Sequence, residues 1–142
     1  MIYLDNNATT PLDPAVAKKM SLFLKEQFGN PSSLYPIGRA VKNIMNQERE
    51  TIAQSLGSIK TEIFFTGSGT EADNFAIRGV MDALPDKNEF ILSKIEHPAV
   101  IETANYLNKQ GITVKYVPVD SYGTVDLDYL KNIISKKTAL IS

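Results

Sequence analysis

The residues with the clearest chemical potential are Phe64-Phe65-Thr66-Gly67-Ser68-Gly69-Thr70-Glu71, which run from an apolar stretch through two glycines into a segment with helical spacing. Glycine lets the backbone turn sharply and brings its N–H groups close to a ligand. The first turn of the following helix adds unpaired N–H groups and the positive end of the helix dipole. With the hydroxyls of Ser68 and Thr70, these make an anion site suited to a phosphate. The competing reading is a tight strand-to-helix turn, with Thr70 as an ordinary N-cap helped by Asp73. Gly67, Gly69 and Ala72 also fit the Gly-x-Gly-x-x-Ala spacing of dinucleotide-binding loops. That fingerprint wants an acid near the end of the next strand, and here Leu92-Ser93-Lys94 offers none before Glu96. No Gly-Lys-Ser/Thr follows, which excludes a Walker loop.

His97 is the single histidine of the chain. It follows the apolar run Phe90-Ile91-Leu92 and precedes Pro98, so it is expected at the carboxyl end of a strand, on the same sheet edge as the glycine loop. There an imidazole could stack on a planar ring or move a proton; equally, it could cap the next helix. Asn6, Asn7, Thr9 and Thr10 form a polar cluster that could bond a substrate or a neighbouring subunit, or satisfy its own turn. Asn30-Pro31-Ser32-Ser33 carries the same two readings. Lys18-Lys19 and Lys136-Lys137 read as solvated surface. With no cysteine and one histidine, thiolate catalysis, disulfides and two-histidine metal motifs are excluded for this chain alone. No Asp/Glu spacing suggests a metal site.

The elements that must position these groups alternate along the chain. Ile2-Tyr3-Leu4 reads as the entry to a strand. Asp13 reads as an N-cap with Pro14 at the first helical position. The helix it opens carries Val16, Met20, Phe23, Leu24 and Phe28 as a core stripe and is closed by Gly29. A second helix is expected from about Ile37 to Leu56, with Gly57 after it. Ile63-Phe64-Phe65 reads as a buried strand, and Thr70 to about Leu84 as a helix. Phe90-Ile91-Leu92 is the next strand and Pro98–Gln110 a helix closed by Gly111. Thr113–Val119 is a strand, Leu127 to Ile134 a helix capped by Asp126, and Ala139-Leu140-Ile141 a last strand. Strands separated by single helices predict right-handed crossovers and a mostly parallel sheet, an α/β fold. Ligands on such sheets bind beyond the carboxyl ends of the strands. The division expected is residues 1–60 as an N-terminal arm with helices and 61–142 as the first part of the α/β domain.

Composition is consistent with this. The 142 residues are 43% hydrophobic and 22% charged, with a formal net charge of -1, enough for a hydrophobic core and giving no electrostatic case for nucleic acid. The apolar runs are too short to span a membrane, and no secretory pattern opens the chain, so the expected location is cytoplasmic. Ser142 directly follows a strand-like run, which reads as a truncated chain.

Together the segments resemble a known family. Tyr3-Leu4-Asp5-Asn6-Asn7-Ala8-Thr9-Thr10-Pro11 is similar to the opening signature of the cysteine desulfurases of the NifS/IscS group, pyridoxal 5′-phosphate (PLP) enzymes related to class-V aminotransferases. Phe28-Gly29-Asn30-Pro31-Ser32-Ser33 resembles the next motif, and Ile63 to Asn74 the cofactor-phosphate loop. Glu96-His97 with Ala99-Val100 resembles the segment bearing the histidine that stacks on the cofactor, and Val114 to Asp120 with Gly123 also fits. The resemblance implies part of a fold type I PLP transferase large domain. It implies that Gly69 and Thr70 bind the cofactor phosphate, that His97 stacks on the ring and shuttles a proton, and that Asn7, Ala8 and Thr9 lie near the substrate or a dimer interface. Two departures stand out. The family more often has Ser-Gly-Ala-Thr or Ser-Cys-Ala-Thr at Gly67-Ser68-Gly69-Thr70, so the extra glycine is expected to loosen the loop. Tyr35 stands where the family usually has a histidine.

The implied parent reaction takes L-cysteine to L-alanine, with the sulfur captured as an enzyme persulfide and passed to an acceptor or scaffold protein for iron–sulfur cluster assembly or other sulfur transfer. A homodimer is implied. The family's Schiff-base lysine and catalytic cysteine have no counterpart in these residues, and the chain alone is expected to be inactive. Two other readings stand beside this one: a nucleotide- or dinucleotide-binding module using Gly67 to Ala72, and a non-catalytic dimerisation fragment whose unpaired sheet edge favours association.

Overall fold

The computed structural model describes residues 2–142. They form two compact units, one reaching to Phe64 and the other spanning Phe65–Ser142.

The first unit is helical. Helix α1, Pro14–Lys25, starts as its sequence dictates: Asp13 accepts from the N–H groups of Ala15 at 2.7 Å and Val16 at 3.4 Å, with Pro14 in the first turn. It ends three residues before the expected Phe28, where the N–H groups of Glu26 and Gln27 both turn to the carbonyl of Leu22. Gly29 therefore does not close this helix. It permits a close approach instead, since a Cβ there would lie 2.6 Å from the carbonyl oxygen of Ile37. The expected core stripe of α1 buries no residue. Periodicity records which face prefers burial, and burial needs a second surface against that face. Helix α2, Pro36–Ser55, buries Gly38, Val41 and Ala53. A short 3-10 turn, Lys60–Glu62, follows. Ile2-Tyr3-Leu4 forms no strand, because a single extended run without a neighbour has no ladder to join.

The second unit holds the sheet. Its elements are α3 (Gly69–Ala83), β1 (Glu89–Ser93), α4 (Pro98–Lys109), β2 (Thr113–Val117), α5 (Leu127–Ile133) and β3 (Thr138–Ile141). The strand order is β2-β1-β3 and both pairings are parallel. Phe90, Ile91 and Leu92 of the central strand are fully buried, the continuous apolar run expected of a parallel strand covered on both faces. Phe90 and Leu92 pack with Ile77 and Met81 of α3 and with Val100, Ala104 and Leu107 of α4. Each such side chain contributes roughly 1.5–3 kcal/mol on burial. Lys115, of opposite parity to the core-facing Val114 and Tyr116, donates to the carbonyl of Ile133 at 3.0 Å, which places α5 over the other face. These are the α/β architecture and parallel sheet expected from the sequence.

Ile63-Phe64-Phe65 departs from expectation. Ile63 has extended backbone, φ −98° and ψ 120°, but the sheet does not include this run, and Phe64 and Phe65 are 66% and 50% exposed. Extended conformation is a local property; a buried strand also needs a paired neighbour.

Glu89 ties the amino ends of all three strands together. Its carboxylate accepts from Lys115 Nζ at 2.9 Å, Ser135 Oγ at 2.7 Å and Thr138 Oγ1 at 3.2 Å. The clasp sits where the register shifts, Glu89 facing Thr138 while Phe90 faces Leu140. The hydrogen bond from Lys115, then that from Ser135, holds the Glu89 carboxyl below the usual glutamate range.

Candidate functional site

Two helix N-termini build the site. At the first, Ser68 rather than Thr70 is the N-cap of α3: its backbone is extended, φ −163° and ψ 163°, and its Oγ accepts from the N–H of Glu71 at 3.2 Å. Thr70 thus sits inside the first turn. Asp73 is not the partner of the cap; Glu71 is, and its Oε2 accepts from the N–H of Gly67 at 2.6 Å. Thr66 Oγ1 donates to the carbonyl of Ser68 at 3.0 Å and fixes the approach to the helix.

The result is a row of donors. The N–H groups of Gly69 and Thr70 occupy the first helical positions, where no intrahelical acceptor exists, and among the described residues no acceptor claims the N–H of Ser68 either. Gly67 and Gly69 do not act through left-handed backbone angles: among the described residues only Gly57, Gly111 and Gly123 have positive φ. A Cβ at Gly69 would meet nothing within 4 Å, whereas one at Gly67 would lie 3.2 Å from Glu71 Oε2.

At the second N-terminus, His97 caps α4. Its Nδ1 accepts from the N–H of Ala99 at 3.1 Å, with Pro98 in the first turn. An accepting Nδ1 leaves the proton of the neutral ring on Nε2. His97 lies just beyond the carboxyl end of β1. There the chain first steps to β2 on one side and then to β3 on the other, and such a reversal of strand order opens a crevice at the strand ends. Behind His97, Ser93 Oγ donates to Glu96 Oε1 at 2.9 Å and stiffens the turn.

Thr70 and His97 line one cleft of about 510 Å³ between α3 and α4. Asn74 and Arg78 continue it along α3, and Glu102 and Tyr106 along α4. The guanidinium of Arg78 lies 5.2 Å from the centre of the Tyr106 ring. These four were not singled out from sequence, although the four-residue steps Thr70-Asn74-Arg78 and Glu102-Tyr106 are a readable signal of shared helix faces. Gly69, Thr70 and His97 thus belong to one unit, where Thr70 and His97 line one cleft; the shared sheet edge expected for them is not formed, because the loop does not follow a strand of the sheet. Asn7, Ala8 and Thr9 belong to the first unit, in an exposed turn where Ala8 and Thr9 donate to the carbonyl of Asp5 and Thr10 Oγ1 to that of Asn6. Asn30 likewise accepts from the N–H of Ser32 at 2.9 Å. Both segments make the self-satisfied turns that were one of their two readings.

The arrangement offers open amide donors of the kind that suit an anion, in the same unit as an imidazole. It lacks two marks of a dinucleotide site: the loop does not leave a strand of the sheet, and β1 ends without an acid at Ser93-Lys94. Among the described residues no helix is long and apolar enough to cross a membrane.

Known proteins resemble this chain. The family described as aminotransferase class-V matches residues 2–142. The chain is 47% identical over 142 residues to the cysteine desulfurase IscS of Methanosarcina thermophila, covering 99% of this chain and 35% of that protein. It is 48% identical to the cysteine desulfurase IscS of Dictyoglomus turgidum (strain DSM 6724 / Z-1310), covering 99% and 36%. Among solved structures, a NifS-like protein superposes with a TM-score of 0.93 at 41% identity, over 99% of this chain and 39% of its own. A protein titled SspA in complex with cysteine superposes with a TM-score of 0.89 at 33% identity, over 98% and 40%. The chain spans about a third of the length of these curated relatives. From its whole-length match and its parallel α/β core, the chain belongs to the class-V aminotransferase family, with cysteine desulfurases among its relatives.

Proposed function

We propose that this chain supplies the phosphate cradle and the ring-facing imidazole of a PLP-dependent cysteine desulfurase. The observation that carries the reading is the row of unclaimed amides at Ser68, Gly69 and Thr70, whose last member lines a cleft shared with His97. The donor set fits the cofactor: amides, a threonine hydroxyl and a helix N-terminus match a phosphate ester, and an aromatic imidazole in the same cleft suits a planar ring. The substrate proposed is L-cysteine, in keeping with relatives named cysteine desulfurase and a structural neighbour in complex with cysteine. The products are L-alanine and a persulfide sulfur that passes to an acceptor protein serving iron–sulfur cluster assembly or other sulfur transfer. The proposed assembly is a homodimer in the cytoplasm, with Asn7, Ala8 and Thr9 toward the substrate or the subunit interface.

When bound, PLP supplies an electron sink for substrate carbanion chemistry. The chain's own residues do the rest of what is proposed for it. Gly69 and Thr70 bind the phosphate through N–H groups and the Thr70 hydroxyl. His97 is held by its cap bond, so Nε2 is the atom through which it holds or moves a proton. The chain contains no cysteine, so the nucleophilic thiolate comes from residues outside it, as does the Schiff-base lysine.

Titration of the chain with PLP, pyridoxal, inorganic phosphate and NAD tests this reading. Saturable binding of PLP, weaker binding of pyridoxal and competition by phosphate are expected. Saturable NAD binding without a response to PLP would overturn the reading in favour of a dinucleotide module. Sulfide release from L-cysteine by this chain alone, metal-free and with PLP, would contradict the proposed division of roles.

A further inference from the structure

Ser68 and Glu71 have the Ser-x-x-Glu spacing of a capping box, in which the glutamate normally returns to the N–H of the cap residue itself. In this chain Glu71 Oε2 reaches one residue further, to the N–H of Gly67 at 2.6 Å, while Ser68 Oγ takes the N–H of Glu71 at 3.2 Å. The displacement changes which donors remain. Had Glu71 taken the Ser68 N–H, only Gly69 and Thr70 would stay open. With Gly67 engaged instead, Ser68, Gly69 and Thr70 form three consecutive open amides. A Cβ at position 67 would lie 3.2 Å from the same carboxylate oxygen, which would have to give by a few tenths of an ångström.

We infer that Glu71 is a positioning residue for the phosphate site: by holding the N–H of Gly67 it turns the loop so that the N–H of Ser68 joins those of Gly69 and Thr70 as a third phosphate donor. The inference rests on the phosphate reading above and adds a residue to that site. Geometry and charge act in opposite directions at Glu71. Its acceptor oxygen orders the loop, while its negative charge opposes a bound anion. Glutamine keeps the acceptor and removes the charge; alanine removes both.

The test is an amide-resolved NMR titration of the whole chain with inorganic phosphate and with PLP, alongside thermal unfolding. Wild type and Glu71→Gln are expected to show shifts at Ser68, Gly69 and Thr70, with Glu71→Gln binding at least as tightly as wild type. Glu71→Ala is expected to lose the Ser68 response and to bind about fivefold more weakly, the effect of one lost hydrogen bond. A purely structural role predicts a different pattern, in which affinity follows thermal stability and Glu71→Gln is weaker than wild type. Gly67→Ala, which crowds the carboxylate but leaves Glu71 in place, is expected to lose the Ser68 response too and serves if Glu71→Ala does not fold. Unchanged affinity and an unchanged Ser68 response in Glu71→Ala, or Glu71→Gln as weak as Glu71→Ala, would overturn the inference alone. No amide response in wild type would overturn the phosphate reading together with it.

Discussion

The N-termini of α3 and α4 start from the same physics and end with opposite capacities. At α4 every early donor is committed: Pro98 has none, the N–H of Ala99 goes to His97 Nδ1, and those of Val100 and Ile101 go to the His97 carbonyl at 2.9 and 3.2 Å. At α3 the cap serine takes the N–H of Glu71 with its hydroxyl and that of Ala72 with its carbonyl, the Gly67 N–H is held by the Glu71 side chain, and the three amides between stay open. A helix N-terminus therefore becomes an anion site only where capping leaves donors over. The proline-led terminus has spent its donors and contributes a side chain, His97, instead. One cleft thus has Thr70 of the open row and the imidazole of His97 in its lining.

The comparison breaks first at Gly69. Gly69→Pro gives α3 the proline start of α4, and the extended Ser68 already has the conformation that a following proline requires. The helix should persist while phosphate binding falls tenfold or more, since a hydrogen bond to a charged group contributes about 1.5–3 kcal/mol. Calorimetric titration checks this, and an unchanged affinity would show that the open amides do not hold the ligand. Next in size is His97. Alanine there should cost about 1 kcal/mol of stability through the lost cap and also weaken binding of pyridoxal. Asparagine should restore the unfolding midpoint without restoring pyridoxal affinity; recovery of both would reduce His97 to a cap. Gly69→Ala should do least to the site. The amide remains and the new Cβ meets nothing within 4 Å, so binding holds while stability rises by about 0.5 kcal/mol or less.

The amino edge of the sheet supplies a last contrast, silent at neutral pH. The Glu89 carboxyl is held below its ordinary range by Lys115 and then Ser135. The unfolded chain therefore takes up the proton first as pH falls. The stabilisation is complete above the ordinary glutamate value and is lost as pH drops through the depressed one. Urea midpoints measured across acid pH should fall less steeply in Glu89→Gln than in wild type, the remaining slope including that of Asp120, whose carboxyl is also held low by the N–H groups of Thr124 and Tyr122, with phosphate binding at neutral pH the same in both.

Sequence by itself determined the local features. Asp13-Pro14, Asp126 and the glycine at 111 mark helix boundaries through the chemistry of single residues, and they appear where expected. The run Phe90-Ile91-Leu92 marked a strand, and β1 forms there. The order of motifs from Asn6 to Gly123 pointed to the family. Tertiary structure decided what depends on partners. The stripe of α1 and the run at Ile63-Phe64-Phe65 are apolar, yet burial and strand pairing are properties of two surfaces, and one segment specifies only its own. The choice of Ser68 over Thr70 as cap, and of the Gly67 N–H over the Ser68 N–H as the target of Glu71, turned on differences of one residue in reach. Spacing rules cannot resolve such differences, because neighbouring donors in a turn lie within reach of the same side chain and only the folded backbone directs one of them toward it.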